Sequence, residues 1–255
     1  MIIDTHTHIF VSQFDADRTA VVQRAKDVGV EKFVLPNIDK DSIGQLKKTV
    51  AEYPDEMLPL MGLHPTSVTE NWQEELAFIK HELDTGNYYG IGEIGIDLYW
   101  DKTYLKQQQM VFETQLKWAK EKKLPVSIHI RDAFDEVFEI VSQEQSPDLR
   151  GVFHCFTGDL HQARRAVDLG FHLGIGGVVT FKNGKIDRFL AEIPPQHLVV
   201  ETDAPWLAPT PYRGKRNEPA YIDLIVQKLA EIYRIKRDEL ECILYHNSMD
   251  VFDFS

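Results

Sequence analysis

A short apolar segment near the N-terminus is followed at once by two histidines. Ile2 and Ile3 lead into Asp4-Thr5-His6-Thr7-His8, so the histidines are two residues apart. Side chains alternate along a β-strand, and this spacing would place His6 and His8 on one face. Neutral imidazole is the commonest metal ligand in proteins. The segment predicts half of a metal site, although two polar residues that close an edge strand would give the same pattern.

Later apolar segments end in further side chains that can bind a metal, namely Glu93, His129, His154 and Asp203. Burying such polar groups is costly unless they are paired, and a shared cation would pair them. Imidazole nitrogens and carboxylate oxygens suit Zn²⁺, Mn²⁺ or similar divalent ions, and the whole set exceeds what one four-coordinate ion needs. We therefore predict two divalent cations bridged by Glu93, which lies between the two halves of the set in strand order.

Each of these residues also has an interpretation without a metal. A single buried histidine is more often hydrogen-bonded to backbone in a core. Glu93 could be a buried acid paired with a basic neighbour, and Asp203 could cap the segment after its strand. The coincidence of such residues at several strand ends favours the metal site over these separate explanations.

Apolar runs of strand length alternate with longer amphipathic segments along the chain. Counting from Ile2 gives eight strand–helix units, including a clear helix over 105–122 and a short one over 185–191. Eight such units in about 250 residues are typical of a barrel of parallel strands. We predict an α/β fold, a (β/α)₈ TIM barrel with an extra C-terminal helix, as a single domain over residues 1–255. A doubly wound sheet is the alternative, but its usual glycine-rich first turn is replaced here by the histidines.

Composition narrows the choice of partners and location. The chain has 28 basic and 40 acidic residues, a net charge of −12, which disfavours broad nonspecific binding to a polyanion. Two cysteines are too few for a disulfide framework, so a reducing cytoplasm is the simplest location. The sequence shows no signal peptide and no apolar run near the ~20 residues of a membrane helix, and we expect no membrane partner. The oligomeric state stays open.

Two residues beside the predicted ligands could contact a substrate. Arg131 lies two residues after His129 and on the same face of its strand. A guanidinium there could clamp a phosphate, or it could pair with the Asp97 carboxylate. His64 ends the third strand near the site, where it could contact substrate or have only a structural role.

A basic and aromatic rim is predicted around the mouth of the barrel. Arg213 and Arg216 follow the last strand, and Tyr99, Trp100 and Trp206 lie in loops at the same end. Aromatic faces beside basic side chains suit a single-stranded nucleic acid, although the aromatics could simply close the barrel top.

Two further residues next to the predicted ligands receive roles from strand alternation. Glu201 precedes Asp203 by two residues, so we expect it to orient ligands from a deeper layer. Cys155 alternates with His154 and should face outward into the helix layer, as packing rather than as a nucleophile.

Six motifs occur in order along nearly the whole chain, and together they carry a family resemblance: His6-Thr7-His8, Gly92-Glu93-Ile94-Gly95-Ile96-Asp97, His129-Ile130-Arg131-Asp132-Ala133, His154-Cys155-Phe156-Thr157-Gly158, Glu201-Thr202-Asp203-Ala204-Pro205 and Arg213-Gly214-Lys215-Arg216-Asn217-Glu218-Pro219. They resemble the TatD family of metal-dependent hydrolases, part of the amidohydrolase superfamily. The resemblance implies a (β/α)₈ barrel with two divalent cations. It implies that the first cation is held by His6, His8, Glu93 and Asp203, and the second by Glu93, His129 and His154.

The resemblance also implies a deoxyribonuclease or other phosphodiesterase that acts on nucleic acid, DNA first, through a metal-activated water. Glu93 would bridge the cations and Asp203 would accept a proton from the water. The metal could be Zn²⁺, Mg²⁺ or Mn²⁺. Two other functions stay open. One is an amidohydrolase-type enzyme on an amide, lactone or acyl ester, which the negative net charge favours; the other is a barrel that binds metal without catalysis.

Overall fold

Strands and helices alternate in a computed structural model that describes residues 1–253. Its strands are β1 (Ile2–Asp4), β2 (Val30–Pro36), β3 (Met57–Leu60), β4 (Ile91–Asp97), β5 (Val126–Arg131), β6 (Gly151–Phe153), β7 (Phe171–Ile175) and β8 (Leu198–Val200). Its α-helices are α1 (Arg18–Asp27), α2 (Ile43–Glu52), α3 (Trp72–Thr85), α4 (Leu105–Lys122), α5 (Phe134–Glu144), α6 (Leu160–Asp168), α7 (Ile222–Tyr233) and α8 (Arg237–Phe252).

The strands pair in parallel and in sequence order. One sheet runs β1-β2-β3 and the other runs from β4 to β8. A parallel bridge between Leu60 and Gly90 joins the two at one side. On the other side, the Thr5 amide donates a hydrogen bond of 3.1 Å to the Val200 carbonyl, which joins β8 to the segment after β1. The order around the ring is that of the TIM-barrel type, as the sequence predicts.

Helix α4 shows how closely periodicity can predict an element. Its buried apolar residues at 111, 112, 116 and 119 recur every three or four positions, which gives one apolar face. The helix ends where Lys123 takes a left-handed φ of 55° shortly before Pro125. Its bounds equal the predicted 105–122. No helix within residues 1–253 combines the length and the apolar character needed to cross a membrane.

The helix predicted over 185–191 is wrong. That segment forms two short 3₁₀ turns, Ile186–Arg188 and Leu190–Glu192. Pro194 follows closely and disfavours a helical conformation at Ile193, which is extended with a φ of −100° and a ψ of 126°. Only a few residues therefore separate the preceding loop from this stop, and 3₁₀ turns suit so short a segment.

The extra C-terminal helix, α8, closes the end of the barrel opposite the strand carboxyl ends. The Asn247 side chain donates to the Leu198 carbonyl at the start of β8, and the Val251 carbonyl accepts from Arg150 just before β6. Val251 and Phe252 pack against buried residues of the strands, including Ile3. Apolar side chains fill this end of the barrel, whereas the polar side chains lie together at the other end.

Candidate metal centre

The two N-terminal histidines lie beyond their strand, not on it as predicted. Strand β1 ends at Asp4, and the loop that follows is fixed by main-chain hydrogen bonds, including one of 2.8 Å from the His8 amide to the Ala204 carbonyl. The two imidazoles still converge, with their Nε2 atoms 3.1 Å apart. Both rings are buried. The loop therefore achieves the shared orientation that the prediction assigned to strand alternation.

The carboxylate of Glu93, on β4, lies at the centre of the histidines. Its Oε2 is 3.2 Å from His6 Nε2 and 3.3 Å from His8 Nε2. On the other side, Oε1 lies 2.8 Å from His129 Nδ1, 3.3 Å from His64 Nε2 and 3.7 Å from His154 Nε2. Each carboxylate oxygen thus faces a different group of imidazoles.

The ionisation of Glu93 and His6 suits metal binding. Burial alone would raise the pKa of the Glu93 carboxyl, but His64, His6 and His154 outweigh it and hold that pKa well below its usual value. Burial lowers the pKa of His6 well below its usual value, and the neighbouring His154 lowers it further. Carboxylate and neutral imidazole are the forms that bind a cation.

Asp203 approaches the same cluster from the loop after β8. Its backbone φ of 56° is left-handed, a conformation that Asp tolerates better than most residues. Its amide donates to the His6 carbonyl at 2.9 Å, so the two loops are tied together. Its Oδ1 lies 3.8 Å from His8 Nε2 and 4.0 Å from His154 Nε2. Burial raises the pKa of this carboxyl to about 6.

The donor atoms fit divalent cations better than they fit one another. At 3.1 Å, the Nε2 atoms of His6 and His8 can share only one proton, and His8 Nδ1 is buried without a hydrogen-bond partner among the described residues. Among the described residues, four groups place their ligand atoms within 4.8 Å of one another, and three of them contain only imidazoles and carboxylates: His6–His8–Asp203, His6–Glu93–His154 and His64–Glu93–His129. A cation between such atoms would remove the competition for protons.

The position of His154 differs in one respect from the ligand set that the resemblance implies. His154 is grouped with His6 and Glu93, and its ring stacks on that of His6 with centroids 3.4 Å apart. His64 instead lies beside His129, with ring centroids 4.6 Å apart. The site as a whole therefore contains one more imidazole, that of His64, than the predicted ligands.

Carboxylates support two of the histidines from behind. Asp97 Oδ2 lies 2.9 Å from His129 Nε2. Burial alone would lower the pKa of that imidazole, but hydrogen bonds to the Asp97 and Glu93 carboxylates raise it. Glu201 Oε1 lies 2.8 Å from His154 Nδ1, a close ion-pair contact. Burial would lower the pKa of His154, but Glu201 and Glu93 raise it to about 10.

Two positioning groups were missed by the analysis of the sequence. The Ser127 hydroxyl lies 3.0 Å from His6 Nδ1. Ser127 precedes His129 by two residues on β5, so alternation could have placed it on the same inward face. Asp4 is fully buried; its Oδ2 accepts from the Thr202 hydroxyl at 2.6 Å and its Oδ1 from the Thr202 amide at 2.9 Å. An acid directly after Ile2 and Ile3 was the available signal for a buried, paired carboxylate.

A family model described as TatD related DNase matches residues 3–253, nearly the whole chain. The chain belongs to the TatD family. It is 38% identical over 253 residues to the uncharacterized metal-dependent hydrolase YabD of Bacillus subtilis, with 99% of each chain covered. It is 32% identical over 235 residues to the 3'-5' ssDNA/RNA exonuclease TatD of Pectobacterium atrosepticum, which covers 89% of this chain and 90% of that protein.

The fold of this TatD chain is likewise that of its relatives. The crystal structure of YjjV, a TatD homolog from Escherichia coli, superposes with a TM-score of 0.93 at 31% identity, and covers 100% of this chain and 98% of that one. The predicted family and TIM-barrel fold are confirmed. The chain is a metal-dependent hydrolase of the TatD family.

The arginines predicted to bind substrate differ in their surroundings within this TatD chain. Arg131 lies over the Tyr99 ring, 3.7 Å from its centroid, while Asp97 is engaged by His129. Arg213 lies over the Phe181 ring at 3.5 Å. The Arg216 guanidinium makes two hydrogen bonds, of 2.7 and 2.8 Å, with the Asp17 carboxylate. A phosphate at Arg216 would therefore compete with an existing ion pair.

The predicted orientation of Cys155 is wrong. Its thiol lies with His154 and Glu201, with their ligand atoms within 4.8 Å of one another, rather than among the outer helices. Strand β6 ends at Phe153, and Cys155 has a left-handed φ of 43°, so strand alternation no longer applies there. The Cys155 amide donates to Glu201 Oε1 at 2.5 Å, and burial raises the pKa of the thiol well above its usual value. The thiol is thus a neutral group beside the TatD site.

Proposed function

We propose that this TatD-family chain hydrolyses phosphodiester bonds in nucleic acid, with DNA as the first substrate, using two divalent cations. The observation that carries the proposal is the Glu93 carboxylate. Its Oε2 faces His6 and His8, while its Oε1 faces His64 and His129. A carboxylate with imidazoles on both sides has the arrangement expected of a ligand that bridges two ions.

The proposed ligand sets keep Glu93 in common. The first cation would be held by His6, His8, Glu93 and Asp203, and the second by Glu93, His129 and His154. Such cations, when bound, lower the pKa of water to about 7 and stabilise negative charge on a phosphoryl group. Mixed imidazole and carboxylate donors suit Zn²⁺ or Mn²⁺, and Mg²⁺ is the third candidate.

The chain itself would position the substrate and move the proton. Asp203, with a pKa of about 6, is largely a carboxylate at neutral pH and can accept the proton of an attacking water. Arg131 would contact a phosphate, because its guanidinium follows His129 on the same strand and is exposed. We keep His64 as a substrate contact, since its Nε2 is directed at the same carboxylate oxygen as His129.

The relatives support a nucleic acid as the partner. One of them is named a 3'-5' ssDNA/RNA exonuclease and is 32% identical to this chain. We therefore propose single-stranded DNA as the first test substrate, with RNA as the second. A cytoplasmic location stays a prediction.

The decisive test is cleavage of a 3'-labelled single-stranded oligonucleotide by metal-stripped protein with Mg²⁺, Mn²⁺ or Zn²⁺ added back. We expect cleavage that depends on the added ion, and a fall in kcat of about 10²- to 10⁴-fold in Asp203→Asn. The metal content of the variant is measured alongside, because Asp203 is also a proposed ligand. If Asp203→Asn retains two ions and lacks activity, the loss belongs to proton transfer rather than to an empty site.

A carbonyl substrate is the second candidate, and the net charge of −12 favours it because a polyanion is repelled. If protein loaded with two ions cleaves no oligonucleotide, the nuclease proposal fails. A panel of amides, lactones and acyl esters would then distinguish an amidohydrolase-type enzyme from a barrel that binds metal without catalysis.

A further inference from the structure

An exposed aromatic surface lies beside the metal centre at the end of β4. The Trp100 side chain is 71% exposed and that of Tyr99 is 53% exposed, and the two rings meet edge to face with centroids 4.9 Å apart. The Arg131 guanidinium lies 3.7 Å from the Tyr99 centroid and 5.4 Å from the Trp100 centroid. We call these three residues the β4 aromatic surface. It combines two π faces with a cation, and the described part of the chain leaves the Trp100 ring largely uncovered.

The β4 aromatic surface is fixed relative to the proposed metal ligands. Asp97 Oδ1 accepts hydrogen bonds from the Tyr99 amide at 3.0 Å and the Trp100 amide at 3.4 Å. The other oxygen of the same carboxylate contacts His129. One side chain therefore holds both the aromatic loop and an imidazole of the metal centre, so a group bound on the rings has a set distance to the reacting bond.

The charge of Arg131 is available to a ligand. Among residues 1–253 its guanidinium is found over aromatic rings, whereas Arg216 is paired with Asp17 and Arg24 with Glu218. Within residues 1–253 Arg131 forms no ion pair with a carboxylate, so its positive charge is not neutralised by a neighbour although the net charge of the chain is −12. Stacking over a ring leaves the N–H groups at the edge of the guanidinium free to contact a phosphate oxygen.

We propose that the β4 aromatic surface binds the unpaired nucleobase next to the scissile phosphodiester, with the base stacked on Trp100 and the adjoining phosphate at Arg131. The proposal rests on the proposed function, because it names what that site recognises. A base has a π face whatever its identity, so binding would be tolerant of sequence. In a duplex the same faces are covered by neighbouring base pairs, so the surface selects single strands.

The test compares Trp100→Ala with Trp100→Phe on single-stranded DNA in the metal-loaded protein. Base–aromatic stacking is worth about 1–3 kcal/mol, which corresponds to a rise in KM of about 5- to 150-fold in Trp100→Ala. We expect kcat to change little and the Phe variant to keep most of the binding. Phe78→Ala is the matched control, because Phe78 is also exposed and has Lys40 5.3 Å from its ring centroid, but lies on α3. It should leave KM unchanged.

An abasic residue placed next to the scissile bond distinguishes the loss of base stacking from a general change in the shape of the protein surface in Trp100→Ala. The wild-type protein should lose as much affinity for the abasic strand as Trp100→Ala loses for the normal one. The variant should lose nothing more on the abasic strand. Additive losses, or an unchanged KM in Trp100→Ala, would overturn the proposal while leaving phosphodiester hydrolysis intact.

A binding measurement tests the surface apart from catalysis. A phosphorothioate oligonucleotide with 2-aminopurine at its 3' end should lose fluorescence on binding to the metal-loaded protein, because the probe stacks on Trp100. The quenching should disappear in Trp100→Ala and persist in Trp100→Phe. Quenching by a protein that cleaves no unmodified oligonucleotide would contradict the proposed function but support the base-binding surface. If the fluorescence does not change on binding, or if nothing binds, the surface is not a base-binding site.

Discussion

The histidines of the candidate metal centre are held in two different ways. His129 and His154 each have a carboxylate behind the ring, at 2.9 Å from Asp97 and 2.8 Å from Glu201. The carboxylates raise the pKa of both imidazoles against the effect of burial. In this half of the site, negative charge acts directly on the ring that would bind a cation.

The other half relies on the backbone. His6 has only the neutral Ser127 hydroxyl at its Nδ1, and His8 Nδ1 has no hydrogen-bond partner in the described part of the chain. The nearby acid, Asp4, contacts Thr202 instead of an imidazole. It thereby joins the loop that carries the two histidines to the loop that carries Asp203.

The difference separates ligand strength from ligand placement. A carboxylate behind an imidazole fixes the ring and makes it a more basic ligand. A carboxylate that holds two loops together fixes distances but adds nothing to the basicity of the rings. We therefore expect substitutions in the two halves to be detected by different measurements, metal affinity in one and folding stability in the other.

The largest effect is expected from removing charge behind His129 or His154. Asp97→Asn and Glu201→Gln keep the size of the side chain, and the carboxamide oxygen of the Asp97→Asn variant could still accept from the Tyr99 amide. We expect each substitution to lower the affinity for one of the two proposed cations by about 10- to 100-fold, because second-layer carboxylates contribute that much to affinity. Competition with a chromophoric chelator measures the two affinities separately.

If either variant lowered the affinities for both proposed cations equally, the result would contradict the comparison. The carboxylate would then support the whole site rather than one half of it. Retained folding is checked by the thermal midpoint of the metal-stripped protein. An unchanged affinity in both variants would remove the distinction between the two halves altogether.

Asp4 predicts a pH effect on stability rather than on metal affinity. Burial raises its pKa to about 8, whereas an unfolded Asp titrates near ~3.9. Between these values the folded state binds a proton that the unfolded state has lost, so this group's contribution to the free energy of unfolding falls as pH rises. Asp4→Asn cannot titrate. As pH rises through that window, the free energy of unfolding of the variant should increase relative to that of the wild type by at most about 1.4 kcal/mol per pH unit.

Urea unfolding of metal-stripped protein between pH 5 and pH 8 measures this difference, and the other titrating groups cancel because they are common to both proteins. A difference that stays constant with pH would show that Asp4 is ionised in the folded state, held by its hydrogen bonds to Thr202. Asp4 would still join the two loops through Thr202, but the predicted pH dependence would be wrong.

Much of the fold and of the candidate site can be predicted from the residue types and from the order of the strands in the sequence. Helix α4 has its predicted bounds because its apolar spacing and its stop before Pro125 are local. The contact of Asp4 with Thr202 spans 198 residues and depends on how the last strand meets the first, which no local pattern specifies. The direction of the Cys155 side chain was predicted wrongly because β6 ends two residues earlier, at Phe153. Cys155 itself has a left-handed φ, which redirects the chain. Alternation predicts side-chain directions only while the strand lasts.

The smallest effect is expected from Ser127→Ala, which removes the hydroxyl behind His6. A neutral hydrogen bond contributes about 0.5–1.5 kcal/mol, against about 1.5–3 kcal/mol for one to a charged group. The affinity for the cation at His6 and His8 should therefore fall by only about 2- to 12-fold. The same chelator titration used for Asp97→Asn gives the comparison directly. A loss of affinity as large as that of the carboxylate variants would mean that the hydroxyl and the carboxylates act in the same way, by fixing the orientation of the ring rather than by making it more basic. The two halves of the site would then differ only in the chemical group that supports each imidazole.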